Sequence, residues 1–130
     1  MAAEADGPLL LYVEDELFIQ HMLMPALQEA GFQLLVADSG TQALDLLAQN
    51  AKLLHGIVTD VNLGHGPDGW EVAQKGRESI HNLPVVYVSA ASDHEWLSKG
   101  VPNSIMVAKP FVPAQVVVAI SSLLTASGQN

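Results

Sequence analysis

The stretch LLLYVEDE, residues 9–16, joins five largely apolar residues directly to three acidic ones. An unbroken apolar run of this kind is typical of a strand buried on both faces, because half-exposed strands alternate polar and apolar residues. Three later runs have the same form: GIVT precedes Asp60, PVVYV precedes Ser89 and SIMVA precedes Lys109. If these runs are parallel strands of one sheet, their polar residues meet at its carboxyl edge, where open α/β sheets bind ligands.

The segments between the runs carry helix signals, so strands and helices alternate. Strands are predicted at residues 9–13, 33–37, 56–59, 84–88 and 104–108. Helices are predicted at 17–30, 41–50, 70–79 and 113–124, and Pro25 should kink the first. At residues 93–99 we expect a short helix at most, because Gly100 and Pro102 follow. These elements favour an α/β fold with a doubly wound five-stranded parallel sheet of order 2-1-3-4-5, helices on both faces and a fourth helix that is short or missing.

Length and composition narrow the class of protein. The 130 residues fit one domain, with a core over 9–124 and loose ends at 1–7 and 126–130. Five basic against 14 acidic residues give a formal net charge of −9, which argues against nucleic acid as a partner. Because the chain lacks cysteine, a membrane-length apolar run and the basic start of a signal peptide, we expect a cytoplasmic protein without disulfides.

The acidic residues at the strand ends favour a divalent cation. Adjacent buried carboxylates repel one another, and Mg²⁺ (or Mn²⁺) relieves this because it prefers oxygen ligands. We expect Asp15 and Asp60 to bind the ion directly, Glu14 to act through water, and Asn62 to contribute its backbone carbonyl.

A phosphoryl group is the expected reactant at this site. Asp60 alone ends the central third strand, which makes it the candidate nucleophile, while Lys109 and Ser89 would contact phosphoryl oxygens. Each residue also has a plainer explanation, since Asp15 could cap a helix, Ser89 could form a turn and Lys109 could be a surface lysine. Their occurrence at successive strand ends favours one shared site.

The motifs YVEDE, TDVN, YVSA and AKPF, at these spacings, resemble those of the receiver domain of two-component response regulators, which has a flavodoxin-like fold. The resemblance covers residues 9–124. It implies that Asp60 accepts a phosphoryl group from a phosphohistidine on a histidine kinase or histidine phosphotransfer protein, and that the domain signals by phosphorylation-dependent protein binding. It further implies that Ser89 is the switch hydroxyl, that the small Ala90 leaves the site open, and that the Lys109–Pro110 peptide is cis.

Three features depart from the family pattern. Met106 stands where the family usually has an aromatic residue that moves with the switch hydroxyl, and methionine cannot reproduce a ring's movement. The segment between Ser89 and Lys109 is shorter than usual, and the glycine-rich loop NLGHGPDG after Asp60 is longer. These departures leave open a second interpretation, a receiver-fold module that binds proteins independently of phosphorylation.

Two further questions stay open at this stage. An aspartyl phosphatase would place a second acid where this chain has Asn62, so we expect no enzyme activity beyond Mg²⁺-dependent self-phosphorylation and self-dephosphorylation. The chain could be a stand-alone protein or one domain of a hybrid kinase. The last helix, with part of the first, is a candidate surface for a homodimer or a downstream protein, because its apolar band is wide: Val116, Val117, Val118, Ala119, Ile120, Leu123 and Leu124.

Overall fold

The computed structural model describes residues 7–90 and 93–127. One parallel sheet contains five strands in the order β2-β1-β3-β4-β5, which confirms the predicted fold. The strands are β1 (Leu9–Val13), β2 (Gln33–Ala37), β3 (Gly56–Asp60), β4 (Val85–Ser89) and β5 (Ile105–Ala108). Their bounds differ from the prediction by a residue at a few ends. In particular, Asp60 pairs with Val88 and is itself the last residue of β3.

Helices fill the connections and lie close to their predicted positions. They are α1 (Leu17–Glu29), α2 (Gly40–Asn50), a 3₁₀ turn (Ala51–Leu53), α3 (Gly69–Ser79), α4 (Asp93–Lys99) and α5 (Pro113–Ala126). Side-chain caps begin two of them: Ser39 accepts from the Gln42 N–H at 3.1 Å and Asp68 from the Glu71 N–H at 3.0 Å. No helix in the described part of the chain is long and apolar enough to cross a membrane.

The ends of the chain agree only in part with the prediction. α5 extends to Ala126, so that residue is helical rather than loose. Residues 1–6 and 128–130, also predicted to be loose, lie outside the described residues. Pro25 lies inside α1, which continues across it although Pro25 has no N–H to donate to the His21 carbonyl. The kink predicted there stays a prediction.

The fourth helix is short rather than missing. It ends where the Gly100 N–H bonds to the Trp96 carbonyl at 2.8 Å. The segment beyond it is held by two side chains. The Val101 N–H donates to the Tyr87 hydroxyl at 3.0 Å, and the Trp96 indole donates to the Ser104 hydroxyl at 2.9 Å. These bonds keep the shortened connection against the sheet.

Both faces of the sheet are covered, which explains why the strands are apolar throughout. The core on the side of α2 and α3 includes Leu11, Val13, Ala43, Leu47 and Val72. The core on the side of α1 and α5 includes Leu10, Tyr12, Leu23, Leu27 and Ile120. Because successive residues of β1 point to opposite faces, each side receives alternate members of the same run.

The apolar band of α5 is mostly internal. Val116, Ala119, Ile120 and Leu124 are buried with α1 on this side of the sheet. Val118 is 63% exposed instead, and it lines a groove of about 720 Å³ between α5 and β5. Core packing therefore accounts for the buried members of the band, and on α5 the groove beside Val118 stays a candidate surface.

Candidate functional site

Four strand ends bring the candidate residues to one edge of the sheet. Glu14 and Asp15 follow β1, Asp60 ends β3, Ser89 ends β4 and Lys109 follows β5. Carboxylate oxygens of Glu14, Asp15 and Asp60 all lie within 4.8 Å of one another. Glu14 and Asp60 are buried, whereas Asp15 is exposed. The cluster therefore has two buried carboxylates and is accessible to solvent at Asp15.

Lys109 supplies positive charge to this cluster. Its Nζ donates to Asp60 Oδ2 at 3.0 Å, and its side chain is 21% exposed against 4% for Asp60. Partial burial alone would lower the pKa of Lys109, but the hydrogen bond and charge of Asp60 outweigh it and the pKa is raised. Lys109 therefore stays protonated at physiological pH and can balance negative charge at Asp60.

Folding raises the pKa of the Glu14 carboxyl group. Burial and then the charge of Asp60 raise its pKa from 4.5 to about 8, although a hydrogen bond from the Glu16 N–H and the charge of Lys109 act in the other direction. That N–H lies 3.2 Å from Glu14 Oε2. Without a cation, Glu14 thus holds a proton near neutral pH, because burial and then the nearby charge of Asp60 disfavour its ionised form.

The residues present fit a hard divalent cation. Three carboxylates converge, two of them buried, and oxygen ligands of this kind suit Mg²⁺ better than softer metals. Asn62 lies two residues beyond Asp60 in an exposed loop position, and its carbonyl as a further ligand stays a prediction. A bound cation would lower the raised pKa of Glu14 and would reduce the repulsion among the three carboxylates.

Ser89, Ala90 and the Lys109–Pro110 peptide complete the edge. Ser89 is fully buried, and its carbonyl accepts from the Lys109 N–H at 2.9 Å, which ties the ends of β4 and β5 together. Ala90 is exposed. The Lys109–Pro110 peptide is cis, as predicted. The switch function of Ser89 stays a prediction.

Met106 packs into the sheet face away from this edge. It is partly buried, pairs in register with Tyr87, and packs against the core on the side of α2 and α3. The neighbouring Trp70 and Tyr87 rings lie with centroids 4.6 Å apart. The aromatic groups of this face are therefore fixed in the core, and the position three residues before Lys109 is occupied by the flexible thioether of Met106.

Two residues near the site were missed by the sequence reasoning. Gly69 begins α3, and a Cβ at this position would overlap the Asp60 carbonyl, so only glycine allows the helix to start this close to the nucleophile candidate. Gln20 is a buried polar residue of α1 that donates to the Glu14 carbonyl. A signal for Gln20 existed, since it is a glutamine on the apolar face of a helix.

An apolar surface borders the site. Ile19, Met22, Ala90, Lys109, Pro110 and Phe111 line a groove of about 460 Å³. Beside it, Leu17 is 61% exposed, Phe18 80% and Val112 60%. Large exposed apolar side chains around a charged site are typical of a protein-binding surface.

The fold and this set of strand ends match a known family. A family model described as the response regulator receiver domain matches residues 10–121. The chain belongs to this family. As a receiver domain it is similar to a solved response regulator receiver protein from Sinorhizobium medicae, with 38% identity and a TM-score of 0.89, covering 94% of this chain and 98% of that one. The receiver domain of the hybrid histidine kinase CckA shares the fold, with 24% identity and a TM-score of 0.74 over 89% and 98% of the two chains.

Curated relatives of the receiver domain are longer proteins. An uncharacterised transcriptional regulatory protein YbdJ of Bacillus subtilis is 28% identical over 91% of this chain and 51% of its own length. The sensor histidine kinase RcsC of Salmonella typhimurium is 33% identical over 65% of this chain and 9% of its own length. The chain thus spans about half the length of one curated relative and a small part of the other.

Proposed function

We propose that this receiver domain accepts a phosphoryl group on Asp60 from a phosphohistidine of a histidine kinase or histidine phosphotransfer protein. The observation that carries the proposal is the 3.0 Å contact of Lys109 Nζ with Asp60 Oδ2 inside the cluster of three carboxylates. The buried carboxylate of Asp60, the ammonium group of Lys109 and a set of oxygen ligands for Mg²⁺ therefore lie together in one site. Positioning and charge balance of this kind are the main contributions to phosphoryl transfer.

In the proposed step, an oxygen of the Asp60 carboxylate attacks phosphorus. A P–O bond forms as the P–N bond to the donor imidazole breaks, and the electron pair of that bond stays with the imidazole nitrogen. Lys109 balances charge on the phosphoryl oxygens, and the Ser89 hydroxyl donates a hydrogen bond to one of them. Mg²⁺, or Mn²⁺, held by Asp15 and Asp60 would supply further charge neutralisation.

The apolar groove beside Lys109 supports a protein as the donor. A small phosphodonor would need only the charged residues, whereas the exposed Leu17, Phe18 and Val112 offer contact area around them. The net charge of −9 gives no support for a nucleic-acid partner. We propose a cytoplasmic signalling role with no enzyme activity toward other substrates.

The proposed output is a change in protein binding. Phosphorylation places a phosphoryl group of roughly −1.5 to −2 charges beside Ser89 and Lys109, in place of the single negative charge of the Asp60 carboxylate. Because the Lys109 N–H is bonded to the Ser89 carbonyl, movement of either end is transmitted to β5. The groove between β5 and α5 is lined by residues of β5, including Ala108 next to Lys109, and we place the output partner there.

A second candidate function is protein binding that does not depend on phosphorylation. It is favoured by Met106, which stands three positions before Lys109, and by the two hydrogen bonds that fix the connection after α4. The fluorescence of Trp96, recorded in a Trp70→Phe background because the chain has two tryptophans, separates the two functions, since the Trp96 indole bonds to Ser104 in that connection. A phosphorylation-dependent output predicts a fluorescence change on labelling that is absent in Asp60→Asn, whereas an unchanged signal in labelled protein favours the second function.

Mass spectrometry after incubation with Mg²⁺ and acetyl phosphate tests the leading proposal. We expect a labile phosphoryl adduct in the wild type, none in Asp60→Asn, and wild-type labelling in Asp45→Asn, an exposed control on α2. In Asp15→Ala we expect labelling to lose its dependence on Mg²⁺. Labelling of Asp60→Asn at the wild-type rate would overturn the assignment of the phosphoacceptor, and a wild type that stays unlabelled at every Mg²⁺ concentration would favour the second function.

A further inference from the structure

Gln20 is a buried amide directly behind the acidic pair. It lies on α1, is 5% exposed, and its side-chain nitrogen makes two hydrogen bonds. One goes to the Glu14 carbonyl at 2.7 Å and the other to Asp38 Oδ1 at 2.7 Å. An amide NH₂ has two protons, so both are used. Gln20 therefore ties the end of β1 to the residue that follows β2.

The carbonyl that Gln20 holds belongs to the peptide between Glu14 and Asp15. The other side of Glu14 is also fixed, because its N–H donates to the Ala37 carbonyl at 3.0 Å. The Glu14 side chain accepts from the Glu16 N–H at 3.2 Å. Asp15 is exposed, so core packing does not hold its carboxylate, and the hydrogen bond of Gln20 to the preceding peptide is a restraint on its position. Rotation of that peptide would turn Asp15 away from Asp60.

The far end of the tie is itself anchored. Asp38 follows β2, and its N–H donates to Gln42 Oε1 at 2.7 Å. Gln42 lies in the first turn of α2, where its own N–H donates to the Ser39 cap at 3.1 Å. Gln20 thus connects the acidic pair to Asp38, which is exposed and is itself bonded to the capped first turn of α2.

We propose that Gln20 is a positioning residue that sets the affinity of the site for Mg²⁺ by holding the Glu14–Asp15 peptide. This inference rests on the metal site of the proposed function, and Gln20 acts through the backbone without touching the ion. Residues that orient metal ligands change affinity by about 10–100-fold when they are replaced. The role is distinct from that of Lys109, which faces the phosphoryl group.

Calorimetric titration with Mg²⁺ alone tests the proposal, with Gln20→Met as the variant and Gln33→Met as its matched control. Methionine keeps the length and unbranched shape of glutamine but donates no hydrogen bond. Gln33 makes the same kind of bond, from its side-chain nitrogen to the Gly7 carbonyl at 2.7 Å, at the opposite edge of the sheet. We expect Gln20→Met to bind Mg²⁺ about tenfold more weakly or worse, and Gln33→Met to bind it as the wild type does.

Two further measurements separate positioning from general damage. Asp38→Ala removes one anchor of Gln20 and should weaken Mg²⁺ binding in the same direction but less, which also provides a test if Gln20→Met fails to fold. Labelling by acetyl phosphate should need more Mg²⁺ in Gln20→Met, yet reach the wild-type rate at saturating Mg²⁺. A variant that is less stable but binds Mg²⁺ normally would overturn the proposal, as would equal weakening in Gln33→Met.

The outcome is distinguishable from failure of the proposed function. If the wild type binds Mg²⁺ but is never labelled, the phosphoacceptor function fails while the comparison of Gln20→Met with Gln33→Met still decides the role of Gln20. If the wild type binds no Mg²⁺, the positioning role is overturned together with the metal site.

Discussion

The buried Glu14 carboxyl group lowers the stability of the folded protein at high pH when no cation is bound. Its pKa is about 8 in the folded protein against an ordinary 4.5, so the folded state holds a proton over this interval that the unfolded state has lost. The contribution of this group to stability is greatest below pH 4.5 and is lost as the pH rises through 8. Glutamine resembles the protonated carboxyl group and does not titrate.

We therefore predict that Glu14→Gln is more stable than the wild type at pH 9 in metal-free buffer, and that the difference disappears toward pH 4.5. With about 1.4 kcal/mol for each pKa unit, the difference should reach a few kcal/mol. Urea unfolding with a chelator at several pH values measures it, and Asp45→Asn is the exposed control. Curves for Glu14→Gln that stay parallel to the wild type across this range would contradict the prediction.

The phenol of Tyr87 is one of the two groups that hold the connection after α4 against the sheet. Tyr87 and Tyr12 are both buried, but Tyr87 accepts from the Val101 N–H, whereas the Tyr12 hydroxyl has no hydrogen-bond partner within the described residues. We predict that Tyr87→Phe destabilises the protein by about 1–3 kcal/mol because it leaves a buried N–H unpaired. Tyr12→Phe, its matched control, should be neutral or stabilising. Thermal or urea unfolding of the two variants checks this, and equal losses would contradict it.

The same elements show what could be predicted from the sequence. The apolar runs before Asp60, Ser89 and Lys109 were enough to predict the strands and the edge of the sheet at which these residues meet. The reason is that a strand determines where the residue at its end lies. The hydrogen bonds of Tyr87 and Gln20 were not predictable, since they join positions far apart in sequence and depend on side-chain directions. Gly69 was missed for a related reason: the closeness of α3 to the Asp60 carbonyl is a property of packing rather than of local pattern.

Charge is unevenly distributed over the whole molecule. The sequence from residue 101 to residue 127 contains one charged residue, Lys109, although the chain carries −9. The groove between β5 and α5 lies in this segment, and every residue that lines it within the described part of the chain is uncharged. Because each copy carries a net negative charge, two copies would repel one another over most of their surface, but not across this uncharged face. We therefore propose a second copy of the chain as the partner that binds in this groove.

We predict that sedimentation of the phosphorylated protein shows a dimer as concentration rises, and that Val118→Glu removes it by placing charges of the same sign opposite each other. Leu53→Glu is the matched control, because Leu53 is 60% exposed against 63% for Val118 but lies on the 3₁₀ turn after α2. A wild type that stays monomeric at every concentration, phosphorylated or not, would contradict the dimer and leave a different protein as the partner.

The two hydrogen bonds of Gln20 also predict which substitutions occur together in related sequences. Its amide satisfies two acceptors on neighbouring strand ends, one of them the side chain of Asp38. A substitution that removes the acceptor at position 38 leaves a buried donor unpaired, so it should be tolerated only when position 20 changes as well. Across related sequences these two positions should therefore covary, with glutamine at one accompanied by an oxygen acceptor at the other.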